Sequence, residues 1–147
     1  LSRMVYVSDR GGQKGIWIVD LPSGENTPIA IDAADQCLPF LSPDGNKVAY
    51  LAGNGSASLF VVDIQGGDPV QIGTGIPRGN DGREAFSWSP DGKAVGFVRN
   101  TPMGPRILVW SAESRTAAEI DVGEIGITGF RWSPDGRRIA LDRKSVV

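Results

Sequence analysis

The segment that decides the fold is residues 86–98, which reads Phe-Ser-Trp-Ser-Pro-Asp-Gly-Lys-Ala-Val-Gly-Phe-Val. Its centre, Ser-Pro-Asp-Gly, is a turn signal. Proline presets φ at the first turn position, aspartate bonds nearby backbone amides, and glycine accepts positive φ. Apolar and aromatic residues flank the turn on both sides, as expected for two strands that a tight connection joins. The segment therefore predicts a strand, a turn and a second strand.

The same unit recurs along the chain. Ser-Pro-Asp-Gly begins at positions 42, 89 and 133, so the spacings are 47 and 44 residues. A third strand follows in each of three units: Ile16–Asp20, Leu59–Asp63 and Ile107–Ser111. A weaker fourth strand is predicted around residues 27–31, 70–72 and 117–120. A repeat of about 40–50 residues with four strands is typical of a propeller blade.

The strands are apolar on consecutive residues, which indicates burial on both faces. No segment keeps an apolar period of 3.6 residues, so we expect no substantial helix. The predicted fold class is all-β, a β-propeller segment of about three four-stranded antiparallel blades, half of a six-bladed ring. Residues 1–147 form one partial propeller with the expected segments 1–36 (three strands), 37–83 and 84–127 (full blades) and 128–147 (two strands).

The predicted core consists of apolar side chains from these strands. They are Met4, Tyr6, Ile16, Ile18, Val48, Tyr50, Phe60, Val62, Phe86, Trp88, Val95, Phe97, Leu108, Phe130, Trp132 and Ile139. An aromatic-ligand platform is the alternative interpretation of the four tryptophans, but their positions inside repeat strands favour packing between blades.

Composition excludes several functions. The chain has no histidine, which removes Ser-His-Asp and Cys-His catalysis and histidine-bound zinc, and its single Cys37 excludes a cysteine metal cluster. A net charge of −2 gives no field that attracts nucleic acid, and no apolar run is long enough to span a membrane. We therefore expect no enzyme activity, no catalytic residues, no metal and no cofactor.

Two local motifs have other interpretations. One aspartate per Ser-Pro-Asp-Gly turn does not supply the six or more oxygens that calcium needs, so a structural turn is favoured. The stretch Gly73–Arg78 is nearly G-x-G-x-x-G, but Arg78 occupies the third glycine position and Pro77 disfavours the required helix. Nucleotide binding is rejected there.

The unit resembles a known family. Trp-Ser-Pro-Asp-Gly, a basic residue, an apolar strand and a strand ending in Val-Asp are similar to the WD-like repeat of TolB-type β-propellers. Related repeats occur in propeller domains of prolyl-oligopeptidase and dipeptidyl-peptidase relatives. The resemblance implies a scaffold that serves many partners, and a periplasmic or other extracytoplasmic location. Two positions depart from the pattern. Leu41 takes the place that Trp88 and Trp132 occupy in the other repeats, and Ser111 takes the place of Asp20 and Asp63.

The candidate binding surface lies on the loops between strands. The long connection Gly73–Glu84 and the loops Asp9–Lys14 and Arg99–Pro105 are expected to share one face of the propeller. Arginine is enriched at interfaces. The predicted partner-binding residues are Arg10, Arg78, Asn80, Asp81, Arg83 and Arg99. A merely solvated polar loop is the open alternative.

These observations give a first hypothesis and two alternatives. The first is a non-catalytic protein-interaction scaffold, with a protein partner. The alternatives are the propeller portion of a larger serine peptidase or hydrolase whose catalytic domain is absent, and a ligand-binding sensor. Because Leu1 aligns with the last glycine of an earlier turn, we expect a fragment of a longer chain. Self-association of two copies to complete a ring is a further expectation.

Overall fold

The computed structural model describes residues 2–12, 14–31, 36–53, 56–77, 85–123 and 126–143. Within these ranges the chain forms thirteen β-strands and one short 3₁₀ turn, Arg10–Gly12, with no α-helix. All strand pairs are antiparallel and join strands that are consecutive in the chain. The predicted all-β propeller fold class is thereby confirmed.

The strands form four separate sheets. The first holds β1 (Arg3–Ser8), β2 (Gly15–Asp20) and β3 (Asn26–Ile31). The second holds β4 (Gln36–Leu41), β5 (Lys47–Ala52), β6 (Ala57–Asp63) and β7 (Val70–Ile76). The third holds β8 (Phe86–Trp88), β9 (Ala94–Thr101), β10 (Gly104–Ser111) and β11 (Ala117–Ile120). The fourth holds β12 (Ile127–Trp132) and β13 (Ile139–Arg143).

Parts of two predicted loops are strands instead. The connection expected at Gly73–Glu84 begins later, because β7 continues to Ile76. A Cβ at Gly73 would lie 2.6 Å from Cε2 of Phe97 in the next sheet, so this glycine serves close packing between sheets rather than a loop. Arg99–Pro105 was also predicted as a loop, yet only residues 102–103 separate β9 from β10.

Apolar side chains fill the spaces between neighbouring sheets. A cluster around Leu59, Phe86 and Phe97 joins the second and third sheets, and one around Ile16 and Val48 joins the first and second. The prediction of Met4 as core is wrong, since it is 52% exposed. Side chains alternate along a strand, and Val5 faces the second sheet, so Met4 faces away from it. Of the other predicted core residues, the half-buried ones are Tyr6, Phe60, Trp132 and Ile139.

One indole hydrogen bond is repeated between sheets. The Nε1 of Trp88 donates to the backbone oxygen of Phe40 at 3.0 Å. One repeat later, the Nε1 of Trp132 donates to the backbone oxygen of Ser87 at 3.3 Å. Because Phe40 and Ser87 occupy equivalent positions, each tryptophan ties the first strand of its sheet to the first strand of the sheet before. These two tryptophans therefore pack between blades, as the sequence predicted.

Candidate functional site

The two ends of the sheets carry different connections. We call the end with the three Ser-Pro-Asp-Gly turns, residues 42–45, 89–92 and 133–136, the turn end. The opposite end holds the connections that follow the second and fourth strands of the second and third sheets, and those that follow β1 and β3 of the first sheet. Its described stretches of two or more residues are 9–12, 102–103 and 121–123, and we call it the loop end. Binding residues are found more often on loops than on residues that the fold itself requires, so we expect the partner-binding site at the loop end.

The turn end is fixed by one hydrogen-bond pattern. In the second turn the hydroxyl of Ser89 donates to Oδ1 of Asp91 at 2.6 Å and accepts the backbone N–H of Ala94 at 3.0 Å. The same carboxylate oxygen accepts the N–H of Lys93 at 3.0 Å. The first and third turns repeat all three bonds. The aspartates are therefore occupied in holding their own turns, which supports the structural interpretation over a cation loop.

These bonds also set the acidity of the turn aspartates. The serine hydroxyl is the main cause that holds the pKa of Asp44, Asp91 and Asp135 below the usual range, and a backbone N–H adds to it in each turn. A carboxylate that accepts hydrogen bonds is favoured in its charged form. The three side chains are consequently anionic throughout the neutral range, and Lys47 and Lys93 add an electrostatic attraction for Asp44 and Asp91, respectively.

Arg10 occupies the first connection of the loop end. It lies on the 3₁₀ turn Arg10–Gly12 and is exposed. Its guanidinium carbon lies 5.8 Å from the ring centroid of Trp17, within the range of a cation–π contact. The Nε1 of Trp17 is buried and has no hydrogen-bond partner among the described residues. Arg10 thus covers an indole and keeps its cationic group at the surface of the loop end.

The hairpin of β9 and β10 projects from the third sheet. Strand β8 pairs with β9 only up to Phe97, and β11 pairs with β10 only from Ile107 onward. Residues 99–106 therefore have only each other as strand neighbours within the described structure. Arg99 and Arg106 are directly opposite in this arm, and like charges in that position destabilise a hairpin. We call residues 99–106 the hairpin arm.

The arm is held in place on one side. A Cβ at Gly75 would lie 3.3 Å from Cγ of Arg99, so β7 supports the arm at close range. The Nε of Arg106 lies 3.4 Å from Oε1 of Glu119, which relieves part of the repulsion between the two arginines. At the tip, the hydroxyl of Thr101 donates to the backbone oxygen of Gly104 at 2.6 Å. These contacts define a supported arm rather than a free loop.

Met103 lies at the tip of the arm and is 82% exposed. The structure therefore adds Met103 and Arg106 to the residues that the sequence singled out. For Met103 the signal was present in the sequence, because this apolar residue lies between Pro102 and Gly104, which are turn residues. A lone apolar residue inside a turn cluster is not needed for the core, and its exposure follows from the tight connection.

The predicted binding residues are only partly covered by the structure. Arg10 and Arg99 lie at the loop end of different sheets, Arg10 in a connection and Arg99 on strand β9 instead of in a loop. The other four residues lie outside the described residues: Arg78, Asn80, Asp81 and Arg83. The described part of the candidate site thus consists of the hairpin arm and the Arg10 turn.

Comparison with known proteins places this geometry in a family. The family model described as the TolB beta propeller domain matches residues 1–146. The chain belongs to the TolB β-propeller family. Among solved structures, TolB from Acinetobacter baumannii is similar with a TM-score of 0.62 and 23% identity, over 95% of this chain and 34% of that one. The tricorn protease is similar with a TM-score of 0.75 and 13% identity, over 95% of this chain and 14% of that one.

One curated relative is similar over a shorter stretch. The uncharacterized protein YidR of Escherichia coli (strain K12) is 36% identical over 59 residues, which is 39% of this chain and 14% of that protein. The chain thus spans between 14% and 34% of the length of these three proteins. At identities below 25%, the two structures show a common fold and nothing more.

Within the described residues, no helix has the length and apolar character that crossing a bilayer requires.

Proposed function

We propose that this chain is a non-catalytic protein-interaction scaffold of the TolB-like propeller type, which contacts its partner through the loop end. The observation that carries the proposal is the hairpin arm. It carries Met103, 82% exposed, at its tip and the facing pair Arg99 and Arg106 at its base. Methionine and arginine are both enriched in protein interfaces.

The arm's charges support a protein partner with acidic groups. Arg99 and Arg106 face each other at an energetic cost, and Glu119 offsets it for Arg106 only. Arg99 has no ion pair within the described structure. A partner carboxylate beside Arg99 relieves the remaining repulsion, and an apolar pocket buries Met103. Binding of such a partner therefore stabilises a pair of facing arginines and an exposed methionine that are unfavourable in the free chain.

The absence of histidine from the sequence supports a non-catalytic role. Serine peptidases of the Ser-His-Asp type need a histidine base, which this chain does not supply. The tricorn protease shares the fold at 13% identity, so its chemistry does not favour the peptidase alternative. We also propose an extracytoplasmic location, as the family resemblance implies, and we retain the self-association of two copies as an outcome that solution mass measures.

Site-specific photo-crosslinking tests the proposed surface. A benzophenone amino acid is placed at Met103 in one variant and at the exposed turn-end residue Pro43 in another, in an extract of the source organism. We expect a discrete cross-linked protein from position 103 and none from position 43. In a variant that also carries Arg99→Glu, the product from position 103 is expected to disappear, since the partner's acid then meets a like charge.

The control is thermal unfolding of each variant, which shows whether the fold is retained. The same product from both positions, or none from position 103 in a folded variant, contradicts binding through the loop end.

A further inference from the structure

A groove at the turn end lies between the second and third sheets, and the proposed function does not use it. Its volume is about 210 Å³. The second sheet contributes β5, β6 and β7 to its lining, and the third sheet contributes β10 and the turn that follows. Both sheets have all four strands described, so the groove does not arise from a missing strand. Pockets for drug-sized ligands measure about 300–1,000 Å³, so an occupant of this groove is smaller.

The floor of the groove is apolar. Val61 of β6 and Trp110 of β10 line it and are each 5% exposed. The half-buried Val70 and Ala112 add to this apolar lining. An apolar group that enters the groove is removed from water, which stabilises its binding.

Trp110 brings a free hydrogen-bond donor to this lining. The Nε1 atoms of Trp88 and Trp132 both donate to backbone oxygens of the preceding sheet. The Nε1 of Trp110 donates to no described acceptor, and unlike the Nε1 of Trp17 it is not sealed from solvent. Because the Trp110 ring lines the groove, its N–H is available there to an acceptor that enters.

Two exposed charges of opposite sign line the same groove without a partner among the described residues. Lys47 and Asp63 also line it, but they pair with each other at 3.3 Å. Arg115 and Asp68 pair neither with each other nor with any other described residue. The groove therefore offers one guanidinium and one carboxylate to the charged groups of a ligand.

Arg115 reaches this position at a backbone cost. Its φ is +57°, in the left-handed region that residues with a Cβ disfavour. Its N–H donates to the oxygen of Ser111 at 2.8 Å, as the N–H of Gly24 donates to Asp20 at 2.7 Å in the first sheet. The equivalent turn of the first sheet thus has glycine, with φ +70°, where the third sheet has arginine. The turn itself does not need a side chain here, so the guanidinium is free to serve the groove.

We infer that this groove binds a small zwitterion, an α-amino acid with an apolar side chain. The ligand carboxylate lies beside Arg115 and accepts the N–H of Trp110, its ammonium group lies beside Asp68, and its apolar side chain contacts the floor. Each of the three ligand groups thereby meets lining residues that complement it. The site lies at the turn end and uses the connections after β6 and β10, so it is separate from the hairpin arm and goes beyond the proposed function.

Nuclear magnetic resonance titration with L-leucine tests the site. The chain has four tryptophans, so an isotope-labelled sample gives four indole N–H signals, and the signal of Trp110 is the one missing from Trp110→Phe. We expect a saturable shift of the Trp110 signal, because its N–H gains an acceptor. Leucinamide, which lacks the carboxylate, and isocaproate, which lacks the ammonium group, are each expected to bind about three- to tenfold more weakly.

Two variants connect each charged ligand group to its residue. Arg115→Gly removes the guanidinium and relieves the left-handed strain, so we expect the fold to be retained. Its affinity for L-leucine is expected to fall about three- to tenfold, while its affinity for leucinamide does not fall. Asp68→Asn is expected to weaken L-leucine binding by a similar factor and not to weaken isocaproate binding.

Arg131→Gln is the matched control. It removes one positive charge from an exposed position on β12, outside the groove. This variant is expected to keep the wild-type affinity for L-leucine. Thermal unfolding of all variants shows whether the fold is retained.

Three results would overturn the inference. One is no saturable shift of the Trp110 signal, or shifts that centre on another indole. Another is equal affinity for L-leucine and either analogue, which would mean that the zwitterion is not recognised. The third is wild-type affinity for L-leucine in folded Arg115→Gly, which would place the ligand carboxylate elsewhere.

Discussion

The turn end and the loop end belong to the same sheets but differ in how uniform they are. At the turn end, three Ser-Pro-Asp-Gly turns repeat the same serine, aspartate and backbone bonds, with lengths that agree within 0.1 Å. At the loop end, the described connections comprise a 3₁₀ turn, a two-residue hairpin tip and residues 121–123, and they share no such pattern.

This difference indicates which residues can be substituted without loss of the fold. The turn-end residues hydrogen-bond to one another within each turn. Neighbouring turns are also close together, since a Cβ at Gly92 would lie 3.3 Å from Cγ of Asp44. At the loop end, Met103 and Arg10 are exposed. Substitutions are therefore expected to affect stability at the turn end and binding at the loop end.

The largest expected effect is that of Trp88→Ala, at the start of the second turn. Trp88 is 8% exposed and its indole bonds to Phe40 in the preceding sheet, so its loss leaves a cavity and an unpaired oxygen. We expect a loss of about 3–5 kcal/mol in the free energy of unfolding, measured by denaturant titration. The half-buried Trp132 provides the comparison, and Trp132→Ala is expected to cost less. Wild-type stability of Trp88→Ala would rule out the packing between sheets.

A pair of glycines compares the two ends at equal backbone geometry. Gly92 at the turn end has φ +73° and Gly123 at the loop end has φ +72°. Alanine at either position costs about 1–2 kcal/mol for the left-handed conformation. Gly92→Ala is expected to cost more than Gly123→Ala, because its Cβ meets Asp44 whereas Gly123 has open space. Equal unfolding free energies for the two variants would show that the turns do not press on each other.

Acid titration tests the turn aspartates as a group. Their folded pKa values lie below the usual range, chiefly because of the serine hydroxyls. Their stabilising contribution is therefore complete above the unfolded pKa of about 3.9, and it is lost as the pH falls through the folded values. We expect the free energy of unfolding to decrease over that window, and to decrease less in Asp91→Asn. An identical acid dependence in this variant would contradict the assignment.

The smallest expected effect on stability is at the loop end. Met103→Ser removes an exposed side chain, and we expect the free energy of unfolding to change by less than about 0.5 kcal/mol. The cross-linking assay applied to a site beside position 103 is expected to report weakened partner binding in the same variant. A large loss of stability would show that Met103 is structural and would remove the hairpin arm as a candidate surface.

Much of the fold was predictable because its signals are local. Ser-Pro-Asp-Gly specifies a turn wherever it occurs, and its three copies gave the repeat and hence the propeller class. The candidate site was less predictable. Arg99 was expected on a loop, since Pro102 and Gly104 are turn residues, but the strands on both sides extend almost to them.

The sequence by itself determined the repeat, the turns and the antiparallel strand order, because each depends on residues close together in the chain. Tertiary structure decided which side chains serve packing. Within β7, position 73 is a glycine because the ring of Phe97 occupies the space that a Cβ would need, and Met4 is exposed because it faces away from the second sheet. These outcomes depend on a neighbouring sheet whose residues are half a repeat or more away in the chain, which no local pattern encodes.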